Sequence, residues 1–344
     1  MHIKKADIVC GLAWGDEAKG KIVADLLKTN DYEWVCRWSG SHNAGHTIYI
    51  DGKKYITHLV PAGVFYGINS YIGQDCLVSI NELKKELDYL KKSGFNVSCV
   101  YVSPNANVIL DEHVQEDIDK YKKQQGSTGK GVAPCAKDKF GRKGTRMKDL
   151  TDEQMEILLK FNRNILKPSS EINGVILCEG AQGNWLDINF GNYPYVTSAN
   201  TFPYSACSLG FSPRKIRDIY GAAKIYDTRV GVDPEFSDNL LDDKNLSEIA
   251  KIGNEFGATT GRTRKVNWLN LDKLIKSINI SGCNIVIISK VDILETLGTF
   301  KVIFNENIIE FENLNEMKLF IKEKLKASCY DIDKIIFSNN PHSI

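Results

Sequence analysis

The sequence predicts an α/β protein with a largely parallel central sheet and helices on both faces, and three observations carry that expectation. Short apolar runs rich in β-branched residues recur along the chain, helical patterns alternate with them, and the first run leads directly into a glycine-rich turn and an amphipathic segment. Continuous apolar runs suit strands buried on both faces, and their alternation with helices argues for βα units whose ligands sit at the carboxyl ends of the strands. The runs fall at 8–10, 71–72 with 77–80, 97–102, 175–178, 285–288 and 334–337. Helical patterns cover 80–93, where Leu83, Leu87 and Leu90 share a face, then 112–125, 152–166, 269–280 and 314–327. Two stretches, 126–146 and 184–201, are rich in Gly, Pro, Asn and aromatic residues and lack a period. Long ordered loops of this kind are usually functional, so the chain is expected to be one domain, 1–344, with functional loop insertions.

Composition excludes several classes. The 344 residues are 25% charged with a formal net charge of +1, which offers no overall field for nucleic acid or a membrane surface. No run approaches the roughly 20 apolar residues of a membrane span, and a cytoplasmic location is expected. The 9 cysteines are scattered without a C-x-x-C pair and read as reduced thiols packed as small hydrophobes, with zinc not expected.

The first βα turn is the most informative. Gly15, Gly20 and Lys21 satisfy the G-x-x-x-x-G-K part of a P-loop, in which small residues let backbone N–H groups approach phosphate at a helix N-terminus. Ile22 stands where such a loop has a Ser or Thr for Mg²⁺, and the loop instead carries Asp16, a carboxylate that can ligate a metal or take a proton. A second segment, Ser39 to Thr47, places His42, Asn43 and His46 among glycines, suited to donating to a phosphoryl oxygen and equally to an ordinary polar turn. Gly126-Ser127-Thr128-Gly129-Lys130-Gly131, followed by Lys139, Arg142, Lys143 and Arg146, has the chemistry of an anion cradle or of a solvated basic loop. In Gly257 to Lys265, Thr259 and Thr260 precede Arg262 and Arg264, whose forks suit carboxylate or phosphate. Lys290-Val291-Asp292 follows a strand-like run and matches the K-x-D by which GTP-binding proteins hold guanine: the carboxylate accepts two base N–H groups and the Lys stem covers the ring.

Together these motifs resemble the adenylosuccinate synthetase family, which joins IMP and aspartate at the expense of GTP. The resemblance also includes Glu179-Gly-Ala-Gln-Gly183, Tyr193-Pro-Tyr-Val-Thr-Ser198 and Thr228-Arg-Val-Gly231, and its motifs run in the family's order from Ile8 to Asp292. It implies a ligase of AMP biosynthesis, cytoplasmic and homodimeric, using Mg²⁺. By resemblance, Asp16 removes the N1 proton of IMP and His46 stabilises transfer of the γ-phosphoryl group to O6, with Lys19 and Gln182 completing the catalytic set. The aspartate amine then displaces phosphate. Asn43, Thr128, Gln182, Thr197 and Arg262 are implied IMP contacts, with Arg142 reaching the phosphate from a neighbouring subunit and Val230 lining the ribose region. Thr259, Thr260, Arg262 and Arg264 are implied to hold the aspartate carboxylates. Gly15, Glu17, Ala18, Lys19, Gly20, Lys21, Gly45 and Thr47 are implied around the GTP phosphates, Lys290, Asp292 and Ser338 around guanine, and Asp16 with the Gly45 carbonyl around Mg²⁺.

The chain departs from the family pattern in places. Ala18 replaces a glycine and is accommodated if its φ is negative. Lys130 stands for an Arg, and Ser338-Asn339-Asn340-Pro341 replaces Ser-Thr-Gly-Pro in a shortened C-terminal region. Alternatives are a relative acting on another purine nucleotide such as dGMP or using ATP, and a P-loop GTP-binding regulator. Asp16 argues against the dGMP relatives, which carry a small residue in the loop, and Ile22 argues against the regulator.

Overall fold

Nine strands, all paired in parallel, form the central sheet of the computed structural model, which describes residues 2–236, 243–256, 264–340 and 344. In chain order the strands are β1 His2–Gly11, β2 Trp34–Gly40, β3 His46–Ile50, β4 Lys53–Thr57, β5 Asn69–Val78, β6 Val100–Val102, β7 Asn107–Val108 and β8 Asn173–Glu179. They continue with β9 Ile216–Lys224, β10 Tyr226–Arg229, β11 Lys265–Asn270, β12 Ile285–Ser289, β13 Phe300–Phe304, β14 Asn307–Phe311 and β15 Lys334–Phe337. The central order is β15-β12-β9-β1-β8-β2-β5-β6, with β7 also on β5. Because β8 and β9 lie on opposite sides of β1, the chain reverses direction across the sheet there, and the crevice above such a point is where ligands bind in open α/β sheets. A smaller sheet, β10-β11-β13-β14, and the hairpin β3-β4 flank it.

Side-chain alternation along β1 divides the core. Val9 packs into one cluster with helix α1 (Lys19–Thr29) and helix α2 (Ile80–Lys92), whereas Ile8 and Cys10 face the other side, covered by the segment Pro203–Leu209 and the helices Leu271–Ser281 and Leu314–Ser328. The sheet is therefore covered by helices on both faces, as the sequence predicts. Helix α2 starts where the Ser79 hydroxyl accepts from the Glu82 N–H and ends with Lys91 and Lys92 beside its carbonyls, and Leu83, Leu87 and Leu90 are fully buried. Ile22 of α1 is also fully buried in the core, which stabilises the helix by about 2 kcal/mol and explains an apolar residue there.

Several expected elements differ in extent. The helix expected over 152–166 stops at Leu159, because Asn162 caps a turn by accepting from Asn164 N–H and donating to Val100 O. The helix expected from 269 begins at Leu271, since Asn270 ends β11 and caps the helix. The pattern over 112–125 is broken by a wider turn at Asp117–Tyr121. Within the aperiodic stretch 126–146 lies a helix, Val132–Phe140, whose Cys135 and Ala136 are buried against Leu77 and Ile109. All 9 cysteines are free, 7 of them buried. Among the described residues no helix is long and apolar enough to cross a membrane.

Candidate active site

A cavity of about 670 Å³ opens above the carboxyl ends of β1, β2, β8, β9 and β12. It brings together residues far apart in the chain: Gly15, Asp16, Ala18, Lys19, Gly20 and Lys21 after β1; Asn43, Gly45, His46 and Thr47 after β2; Thr128; Gln182 after β8; Val230; Arg264; and Lys290 with Asp292 after β12. The family resemblance implies a ligand contact for every one of these. Thr259, Thr260 and Arg262 lie outside the described residues.

The turn after β1 is held tightly. Gly15 has φ +95°, open to glycine and strained for other residues, and a Cβ at Gly20 would meet the Thr47 carbonyl at 2.7 Å. That close approach brings the start of α1 against the strand bearing His46. Asp16 and Ala18 also sit in the left-handed region, at φ 62° and 67°. The condition set for Ala18 is thus not met: φ is positive, and as the residue preceding α1 it has no side chain with which to cap the helix.

Glu17 turns inward. Its carboxylate accepts from Gly15 N–H at 2.6 Å, from Ala13 N–H at 3.2 Å and from Lys19 Nζ at 2.6 Å, so its side chain braces the loop and pairs Lys19 beneath the cavity. Lys21 differs from a P-loop lysine. It reaches the C-terminal segment, donating to Ser338 Oγ at 2.7 Å and to Asn340 O at 2.9 Å. Burial pushes its ammonium down to about 8, against the pull of Asp292 and Asp25. Ser338 is buried under this contact, and Asn340 rather than Ser338 lines the cavity.

His46 is 5% exposed and pairs through Nδ1 with Glu179, the last residue of β8. Glu179 also accepts from Ala62 N–H at 2.8 Å and has Arg37 Nη1 at 4.0 Å. Burial, reinforced by Arg37, pushes the imidazole below its usual 6.5 despite Glu179. Burial alone would raise the Glu179 carboxyl, but His46 and Arg37 hold it low. An ionised Glu179 accepts a hydrogen bond from Nδ1–H, which leaves His46 Nε2 as a buried polar atom with no partner among the described residues, on a side chain that lines the cavity. Gln182, at φ 57°, donates from Nε2 to Asn43 Oδ1 at 3.4 Å, and its Oε1 is likewise buried without a partner there.

The glycine-rich segment 126–131 is anchored from below. Asp117 pairs with the Ser127 hydroxyl and accepts from Gly131 N–H at 2.8 Å, while Lys130 Nζ donates to His42 O at 2.9 Å and so joins this loop to the His42 turn. Arg264 crosses the cavity: Nε and Nη2 lie 3.0 and 2.8 Å from Asp16 Oδ2, and Nη1 pairs with the buried Glu255. Besides Glu17 and Ser338, two more residues expected at ligands stand outside this cavity. Thr197 is fixed by its N–H to Leu186 O at 2.8 Å and does not line the cavity. Arg142 lines a separate cavity of about 680 Å³ with Lys139 and Arg146.

The sequence motifs include Glu179 without giving it a role, and they leave out Arg37, Glu255 and Lys224. Glu179 and Lys224 carried a usable signal, a charged residue closing an apolar strand-like run, which in a parallel sheet places it at the ligand end. Nothing local to Glu255 marks it, because its partners come from three other segments.

The adenylosuccinate synthetase family model matches residues 8–173 and 154–318. Adenylosuccinate synthetase of Helicobacter acinonychis is 38% identical, the alignment covering 86% of this chain and 81% of that one, and the protein of the same name from Bacteroides fragilis is 38% identical over 86% and 80%. Among solved structures, fully ligated adenylosuccinate synthetase from Plasmodium falciparum is similar with a TM-score of 0.84 and 26% identity, covering 98% of both chains. Cyanophage S-2L succinoaminodeoxyadenylate synthetase, bound to dGMP and dATP, shares the fold with a TM-score of 0.74 at 17% identity, over 99% of this chain and 94% of that one. The chain belongs to the adenylosuccinate synthetase family.

Proposed function

We propose that this protein is a GTP-dependent ligase that forms adenylosuccinate from IMP and aspartate, with Asp16 and His46 as its central catalytic pair. The observation that carries the reading is the convergence on one cavity of a phosphate-loop carboxylate, an imidazole held by a buried carboxylate, a carboxylate-binding guanidinium and a base-binding K-x-D. A simple nucleotide switch has no use for the second and third of these.

In this mechanism Asp16 takes the proton from N1 of IMP, O6 attacks the γ-phosphorus and GDP leaves. The amine of aspartate then adds at C6, and the former O6 departs with the phosphoryl group as phosphate. A ring carbonyl oxygen leaves poorly until it is phosphorylated, so the carboxylate and the imidazole act where protons and negative charge move. His46 rests neutral, with Nδ1–H committed to Glu179. As the phosphoryl group approaches, Nε2 takes up a proton from solvent, and the imidazolium, held at Nδ1 by ionised Glu179, donates from Nε2 to the oxygen on which charge develops. Gln182 and Asn43, already joined, hold the purine edge. Arg264 exchanges Asp16 for a carboxylate of the incoming aspartate, which releases Asp16 for proton removal.

Among the described residues no group of three or more His, Cys, Asp or Glu forms a metal cage. Asp16 and Gly45 both line the cavity, and a carboxylate and a backbone carbonyl are hard oxygen donors that fit Mg²⁺, an ion that binds through one or two carboxylates and completes its shell with substrate phosphates and water. When bound, Mg²⁺ neutralises charge on the transferring phosphoryl group. Arg142 stands apart from the main cavity, so its phosphate contact requires a second copy of the chain, and the reading includes a homodimer in the cytoplasm. It treats 1–344 as one catalytic unit, since strands from His2 to Phe337 share one sheet.

The test is adenylosuccinate formation, followed by absorbance with IMP, aspartate, GTP and Mg²⁺, then with dGMP for IMP and ATP for GTP. Product from IMP and GTP is expected, and none would refute the ligase reading. Asp16→Asn is expected to lower kcat by about 10³-fold, within the range of a positioned proton-transfer group, while nucleotide still binds. Undiminished turnover would remove Asp16 from its role.

A further inference from the structure

We propose that Glu255 is a positioning residue that ties the dicarboxylate-binding and base-binding sides of the cavity into one unit; the proposal rests on the ligase reading above. Glu255 is fully buried, just beyond the helix Lys244–Ile252. Its Oε2 accepts from Lys224 Nζ at 2.9 Å and pairs with Arg264 Nη1, and its Oε1 accepts from the Tyr226 hydroxyl at 2.6 Å and lies 3.9 Å from Lys290 Nζ. One carboxylate thereby contacts three cations that arrive from the end of β9, the residue before β11 and the end of β12.

Without it the arrangement has no reason to hold. Three positive charges gathered about one point repel one another, and Lys224 and Arg264 are buried, where a charge that loses its partner costs several times what a surface pair contributes. Glu255 cancels that repulsion and fixes geometry at the same time. Because Arg264 commits Nη1 to Glu255, its Nε and Nη2 edge is the one turned to the cavity, where it now holds the Asp16 carboxylate. That edge is presented as a fork for a carboxylate, which is what an incoming dicarboxylate substrate needs. Lys290, at φ 67°, is drawn toward the same carboxylate and donates to Gly253 O at 2.8 Å, which lays its stem along the base-binding end. The two subsites therefore depend on one buried group, whereas the Asn43, Thr128 and Gln182 side of the cavity does not touch it. Weakening Glu255 is expected to weaken aspartate and guanine nucleotide together and to spare IMP.

The experiment compares wild type with Glu255→Gln and with Glu255→Asp, which keeps the charge and shortens its reach. Each substrate is varied in turn, and GDP and aspartate binding are titrated separately. For Glu255→Gln the KM values for aspartate and GTP each rise about 10-fold, the scale of a lost charge-assisted hydrogen bond, while KM for IMP stays within about 2-fold. Glu255→Asp raises the same two by about 3-fold. A loss confined to kcat, with the three KM values unchanged, overturns the proposal, and so does a rise in only one of the two. If Glu255→Gln does not fold, Glu255→Asp decides by the same criteria. A wild-type protein that forms no adenylosuccinate would sink the ligase reading, and the GDP and aspartate titrations would still judge Glu255.

Discussion

Replacing Ala18 by glycine is expected to stabilise the protein, against the usual trend for a substitution to glycine beside a helix. Ala18 has φ 67° and ψ 32° and precedes α1 without a capping hydrogen bond. The left-handed conformation costs an L-residue about 1–2 kcal/mol, because Cβ crowds the following carbonyl. Glycine removes that cost but surrenders roughly 0.5–1 kcal/mol through the greater freedom of its unfolded chain. The difference is a net gain of about 0.5–1 kcal/mol, and the cap ranking, where glycine surpasses alanine, has the same sign. Equilibrium unfolding in urea without nucleotide checks it: the midpoint rises by a few tenths molar, about the gain divided by an m-value of a few kcal/mol/M, and m is unchanged. Ala18→Val moves the midpoint the other way, since a β-branched residue fits the left-handed region worse. A lower midpoint for Ala18→Gly, or equal midpoints for the glycine and valine variants, would refute the reasoning.

Two further outcomes follow from the groups around His46. Glu179→Gln keeps the shape at Nδ1 but removes the charge that orients and supports the imidazole; kcat is expected to fall about 10–100-fold with the KM for GTP changed less than about 3-fold, and steady-state kinetics showing an unchanged kcat would dismiss the pair. His42 titrates against folding. Burial, with the Lys130 cation beside it, pushes its imidazole down to about 4 from 6.5, so the unfolded chain takes up the proton first. The stability His42 contributes is complete above pH 6.5 and is lost as pH falls toward 4, a cost of about 2 kcal/mol at pH 5. Urea midpoints measured at pH 7 and pH 5 should lie further apart for wild type, which loses stability at pH 5, than for His42→Gln, and parallel losses in the two proteins would contradict that assignment.

What the sequence revealed, and what it hid, follows from where each residue finds its partner. The strands at 8–10, 175–178, 285–288 and 334–337 are legible because nothing interrupts their apolar runs. β2 and β9 escaped notice although both lie within the sheet. Arg37 interrupts β2 and is buried against Glu179 and the His58 carbonyl, and Arg217 in β9 pairs with the buried Asp7. A buried charge with a distant partner looks like a surface residue to any local pattern. The motif residues were legible for the opposite reason, since the turn, the K-x-D and the His segment each carry their chemistry within a few positions. Lys21 shows the limit of that reading: its spacing predicts a phosphate contact, and its partners are 317 and 319 residues away at the C-terminal segment.

The strained positions point to the same cavity without any motif. Asp16, Ala18, Gln182 and Lys290 all have φ between 57° and 67°, and all follow the carboxyl ends of β1, β8 or β12. Ala18 and Lys290 repeat one device, a left-handed residue that turns a parallel strand directly into a helix. Such turns hold helix N–H groups toward the space above the sheet, where anions bind. At Asp16, Gln182 and Lys290 the strain comes with a side chain that lines the cavity, so relief by glycine would remove chemistry together with the cost. Ala18 also lines the cavity, but its side chain is a methyl group with no polar atom to contribute. The strain there serves only the backbone path, which is why this position alone of the four should accept glycine with a gain in stability and no loss of turnover.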